Sequence, residues 1–111
     1  MTTIRSEGAF RINYERERQI TVEGYDAAHD RGHAEELAQA AAAYALTGWF
    51  RERGFTRGHA EGAPHAFWPW DDEWWKPTPN DRIRELVKAG ALIAAAIDSL
   101  LAEPEQEDER K

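Results

Sequence analysis

Cysteine is absent from this 111-residue chain, and that removes disulfides, thiolate nucleophiles and cysteine-based zinc sites together. No apolar run approaches the roughly 20 residues of a membrane-spanning helix, and no basic-then-apolar leader opens the chain, so the expectation is a cytoplasmic protein without a membrane partner. Positive charge is in short supply: 14 Lys and Arg stand against 21 Asp and Glu, a formal net charge of −7. Duplex nucleic acid needs a basic footprint and is not an expected partner. No glycine-rich phosphate loop and no serine in a nucleophile elbow is visible, so any chemistry would rest on carboxylates, histidines and a metal.

Large aliphatic side chains are also sparse. Apolar residues make up 41% of the chain, but many are alanines, which bury little surface each. Aromatic rings must therefore carry much of the hydrophobic stabilisation, at roughly 25 cal/mol per Å² and about 150–250 Å² per buried ring. A chain this short makes one domain with a modest core, and self-association into a homo-oligomer is expected.

The rings that are present are concentrated. Four of the five tryptophans lie within Phe67–Pro77, FWPWDDEWWKP, as Trp68, Trp70, Trp74 and Trp75. Pro69 and Pro77 stiffen the backbone around them. Such a segment serves equally as a lid on a core or as a stacking surface. The split expectation is that two rings pack inward and at least one is exposed at a pocket or subunit interface.

Around it the pattern predicts a small all-α domain of three main helices, with a Trp/Pro-rich loop before the last. Residues 1–9 read as a leader, 10–102 as the helical domain and 103–111 as an acidic disordered tail. The first helix is expected over Phe10–Glu23, stopped by Gly24, and the second over His33–Leu46. A stretch with four glycines spans 48–66. The third helix follows an Asn80 or Asp81 cap, and its stripe Leu86, Gly90, Ile93, Ile97 and Leu100 is expected to face the core. Gly90 within that stripe implies a close helix contact, because glycine there costs about 1 kcal/mol against alanine.

Three constellations bear on chemistry. His29 and His33, with Glu36 one turn on, have the types and i, i+4 spacing of a weak divalent-metal site, which would suit Mg or Mn in an enzymatic reading. The same residues serve equally as helix caps or as hydrogen-bond partners of the tryptophan segment. Next, Arg82, Arg84 and Lys88 start the third helix just after Trp74, Trp75 and Lys76. Planes beside cations suit a nucleobase with its phosphates, whereas salt bridges to Asp81, Glu85 or first-helix acids are the plainer alternative. Last, Glu15-Arg16-Glu17-Arg18-Gln19 reads as a solvated, salt-bridged face, with Mg²⁺ ligation as the other possibility.

The motifs ERxRQ (Glu15–Gln19), EGY (Glu23–Tyr25), HD (His29-Asp30), ELAxAAAAYA (Glu36–Ala45), WPW (Trp68–Trp70), WWKP (Trp74–Pro77) and RELVKAGALI (Arg84–Ile93) together resemble a family of small phage and prophage proteins. The likeness runs from about Glu15 to Leu101. By analogy with small helical phage proteins, it implies a cytoplasmic sponge that sequesters a nucleotide-like immune signal such as a cyclic nucleotide or ADP-ribose derivative. In that reading there is no catalytic residue and no cofactor, and Trp68, Trp70, Trp74, Trp75, Lys76, Arg82, Arg84, Lys88, His29 and His33 form the ligand site. A second analogy is to MazG-like nucleotide pyrophosphohydrolases, with His29, Asp30, His33 and Glu36 as the metal-binding set. The chain departs from that family's four-carboxylate pattern: Glu35-Glu36 has no glutamate at the required spacing, and Glu85 and Asp98 lie thirteen positions apart. A third reading is a module that docks on a host factor through exposed tryptophans.

Overall fold

Ser6 starts the first helix earlier than the apolar pattern implies. Its hydroxyl accepts from the Ala9 amide at 3.1 Å, which satisfies one of the open amides of the first turn, and Glu7 adds a favourable charge there. In the computed structural model, which describes residues 5–46 and 67–103, helix α1 therefore runs Glu7–Thr21 rather than from Phe10 to Glu23. Gly24 lies just beyond, at φ 75°, and allows the amides of Gly24 and Tyr25 to turn back onto the carbonyls of Ile20 and Gln19. Expectations for 1–4, for the glycine-bearing stretch up to residue 66 and for the tail from 104 onwards lie outside the described residues.

Helix α2 spans Ala34–Ala45, with His33 as its N-cap. Helix α3 spans Arg82–Ala102, and the Asp81 side chain caps it by accepting from the Arg84 amide at 3.0 Å. Between them the tryptophan segment forms a single 3₁₀ turn, Asp72–Trp74. All regular structure among the described residues is helical, and the fold is a small all-α one. None of the described helices is long and apolar enough to cross a membrane.

α3 is the central element, and both α2 and α1 pack against it. Alanines set the α2–α3 contact: Ala34, Ala40, Ala41 and Ala43 meet Ala89, Ala95 and Ala96 in two linked clusters that Trp70 and Leu92 join. Small side chains let the backbones approach closely, so the interface gains many weak contacts in place of a few large ones. Tyr44, Trp68 and Trp75 close one end. Tyr44 stacks on Trp75 (4.7 Å between centroids, 22°) and meets Trp68 edge-on (5.4 Å, 84°).

Two expectations are overturned. The aliphatic stripe of α3 faces outward, with Leu86, Ile93, Ile97 and Leu100 each about half exposed, while Glu85, Val87, Ala89, Ala91, Ala95, Ala96 and Ser99 are buried. Periodicity identifies an apolar face but not its partner, and the alanine face wins because it permits the shorter helix–helix distance. Gly90 alone meets the close contact expected of it: Ile12 of α1 lies over it. The charged run of α1 is likewise not a solvated face. Glu15, Arg16 and Gln19 are the buried residues of that helix. Glu15 receives hydrogen bonds from Arg18 and from Arg84 of α3 (2.8 Å), and Arg16 reaches Asp98 (3.0 Å) and the Tyr25 carbonyl (2.7 Å). Each buried charge is thereby paired, which is the condition for burying it at all.

Candidate binding cleft between the histidine turn and the tryptophan segment

Residues 26–33 form a turn rather than an extension of α2, because Gly32 adopts φ 83° and breaks the helix. Asp26 organises the turn by accepting from the His29 amide at 2.8 Å. Ser99 of α3, fully buried, anchors it by donating to the Asp30 carbonyl at 2.6 Å. This anchoring sets His29, Asp30 and His33 facing the tryptophan segment.

Between them lies a cleft of about 550 Å³, within the size range of small-molecule sites (roughly 300–1,000 Å³). Its walls are aromatic: Tyr25 and His29, stacked at 5.1 Å, on one side, and Trp70 and Trp74 on the other. Trp74 is 58% exposed, and Trp70 is half-buried, donating through Nε1 to Glu36 at 3.4 Å. Leu37, Leu92 and Ala95 supply an apolar side, and Gln19, Asp30, Glu36 and Asp71 supply polar groups.

Acceptors dominate the electrostatics. His33 Nδ1 pairs with Glu36 Oε1 at 3.1 Å, and that hydrogen bond holds the Glu36 carboxyl below the usual carboxylate range, with partial burial opposing it and Trp70 assisting. His29 Nδ1 pairs with Asp30 Oδ1 at 2.8 Å. The other oxygen of Asp30, Oδ2, is buried without a hydrogen-bond partner and forms an ion pair with Arg16 Nη2 at 3.9 Å. No lysine or arginine lines the cleft among the described residues.

The ten expected ligand residues thus separate into three groups. His29, His33, Trp70 and Trp74 meet at the cleft. Trp68 (4% exposed) and Trp75 (8%) belong to the core, where Trp68 Nε1 donates to the Asp71 carbonyl at 3.1 Å. The cations go elsewhere. Arg82 spreads its guanidinium over the Tyr44, Ala45 and Leu46 carbonyls at the end of α2, and Arg84 pairs with Glu15. Lys88 donates to the Lys76 carbonyl at 2.6 Å and lies over the Tyr44 ring; burial, then the neighbouring Arg84, pushes its ammonium below the usual range. Lys76 takes part through its backbone, its amide donating to the Tyr44 hydroxyl at 3.0 Å.

His29, His33 and Glu36 border one cleft, yet no three His, Asp or Glu among the described residues form a group able to hold a metal ion. Tyr25, Gln19 and Asp71 line the cleft but were not expected from the sequence to be ligand residues. Of these, only Tyr25 carried a signal, as an aromatic residue directly after the glycine that stops α1. No protein-family model matches the chain, and no curated protein or solved structure does so either.

Proposed function

We propose that the protein is a non-catalytic binder of a small, flat, donor-rich ligand of nucleobase or nucleoside type, held in the cleft between the histidine turn and the tryptophan segment. One observation carries this reading: aromatic faces and carboxylate acceptors line a single cleft from which lysine and arginine are missing among the described residues. A heteroaromatic ring entering between Trp74 and the Tyr25–His29 pair gains stacking worth roughly 1–3 kcal/mol. Its ring or exocyclic N–H groups would find the part-exposed carboxylate of Glu36 as acceptor. In a phage-type sponge that sequesters a nucleotide-like signal, the signal would enter base first and leave its phosphates towards solvent. The three carboxylates of the cleft disfavour an anion inside it.

Tryptophan emission and calorimetry, titrated with the common bases, nucleosides and their mono- and triphosphates, test the reading. The expected result is saturable quenching by at least one nucleoside, weaker binding of its triphosphate, and loss of both in Trp74→Ala. Absence of a saturable response to every base and nucleoside at millimolar concentration overturns it. Tighter binding of triphosphates than of nucleosides would overturn the acceptor argument.

A further inference from the structure

Every exposed residue of α3 is aliphatic: Ile83, Leu86, Ile93, Ile97, Leu100 and Leu101. The polar residues of this helix are instead turned onto the rest of the fold: Arg84 and Asp98 onto α1, Arg82 onto the end of α2, Ser99 onto the histidine turn and Glu85 onto the Thr78 amide. Surface helices ordinarily show the reverse, with polar residues outward. From Ile83 to Leu100 the apolar positions fall at intervals of three and four, counting Gly90, and Ile12 of α1 lies over that glycine. Such 3–4 spacing keeps an apolar face pointed one way along the helix, and on either side of Gly90 it stands open to a second helix.

We infer that this face is the interface of a homodimer, in which α3 packs on α3 of a second copy with Ile93 opposite its counterpart. Three observations favour a second copy over an unlike partner. The seam is self-complementary, as a two-fold interface requires. The exposed positions of this face, Ile83, Leu86, Ile93, Ile97, Leu100 and Leu101, carry no charge that would repel an identical chain. The area is also adequate: the six aliphatic side chains present on the order of 500 Å², already at the upper end for a monomer's largest apolar patch. Phe10 and Tyr14 of α1, exposed and sharing a groove with Ile83 and Val87, extend it towards the roughly 800 Å² that each partner contributes to a stable interface. A core built mostly from alanines gives the monomer reason to recruit this burial. The inference is independent of the cleft, since Leu92 and Ala95, which line the cleft, lie on other sides of α3.

Analytical ultracentrifugation of the full chain tests it. The expected mass at micromolar concentration is twice 12.7 kDa, falling to 12.7 kDa in Ile93→Glu/Ile97→Glu with helical circular dichroism retained. Because the chain has no cysteine, Ile93→Cys should form a single disulfide-linked dimer under mild oxidation, and this readout stands even if the double glutamate variant fails to fold. A wild-type chain at 12.7 kDa overturns the inference. A dimer that survives both glutamates, or an Ile93→Cys variant that does not cross-link, overturns it as well.

Discussion

Gly90→Ala measures the α1–α3 contact directly. On helix propensity alone this substitution should stabilise α3 by about 1 kcal/mol. The new methyl group, however, would stand 2.7 Å from Cγ1 and 3.2 Å from Cγ2 of Ile12, and closer still to Cδ1. Ile12 cannot swing aside cheaply, because a β-branched residue inside a helix has one strongly favoured χ1 rotamer. Overpacking of this kind costs about 1–3 kcal/mol. Setting about 2 against the propensity gain of about 1 leaves a net loss of about 1 kcal/mol, or roughly 4 °C in Tm for a domain of this size. Urea unfolding followed by circular dichroism reads the difference as a shift in midpoint at constant slope. The cycle is completed with Ile12→Ala, which removes all three crowding atoms. Alone it should cost about 1–2 kcal/mol, and in the Gly90→Ala background its cost should be smaller by about 1 kcal/mol or more. A Gly90→Ala variant stabilised by about 1 kcal/mol, or two substitutions that simply add, would show that α1 does not press on α3 at this point.

Two further predictions concern the rings and the buried charges. Trp75→Ala should cost about 3–5 kcal/mol because that ring is stacked on Tyr44 in the core, whereas the neighbouring Trp74→Ala should stay within about 0.5 kcal/mol of wild type by thermal unfolding; equal losses would refute the division between core and cleft. Burial pushes the Glu15 carboxyl up, but hydrogen bonds from Arg18 and Arg84 outweigh it and bring its pKa from 4.5 down to about 2. A lowered folded-state pKa means stability fully present above pH 4.5 and lost as the pH falls towards 2. Glu15→Gln should therefore be less stable by about 1–2 kcal/mol at neutral pH, after allowance for solvent beside the part-exposed arginines, and the gap should close on acidification. A gap unchanged at the acid end would mean that the pairing contributes nothing.

What was legible in the sequence was local. Asp81 before a long apolar-periodic run marks the start of α3, and the alanine run after His33 marks α2, because caps and propensities act over a few residues. The direction in which each helix faces was not legible. Glu15 and Arg16 look like solvated charges until Arg84 and Asp98, 69 and 82 positions away, are brought beside them. Likewise Leu86 and Ile97 look like core residues until the alanines of α2 occupy the opposite side. At the cleft, His29, His33 and Trp74 were recognisable as residue types. Their separation from Arg82, Arg84 and Lys88 follows from where α2 ends and α1 crosses, which no short-range pattern encodes.

The fork that Arg82 throws over the last carbonyls of α2 has a practical consequence. It ties Leu46, where the chain departs, to the first turn of α3, while Trp68, soon after the chain returns, is held in the core. Leu46 and Trp68 are thus both held by α3 and the core through contacts of the described residues. The end of α2 and the start of α3 should therefore loosen together in Arg82→Ala, which removes the fork from all three carbonyls at once.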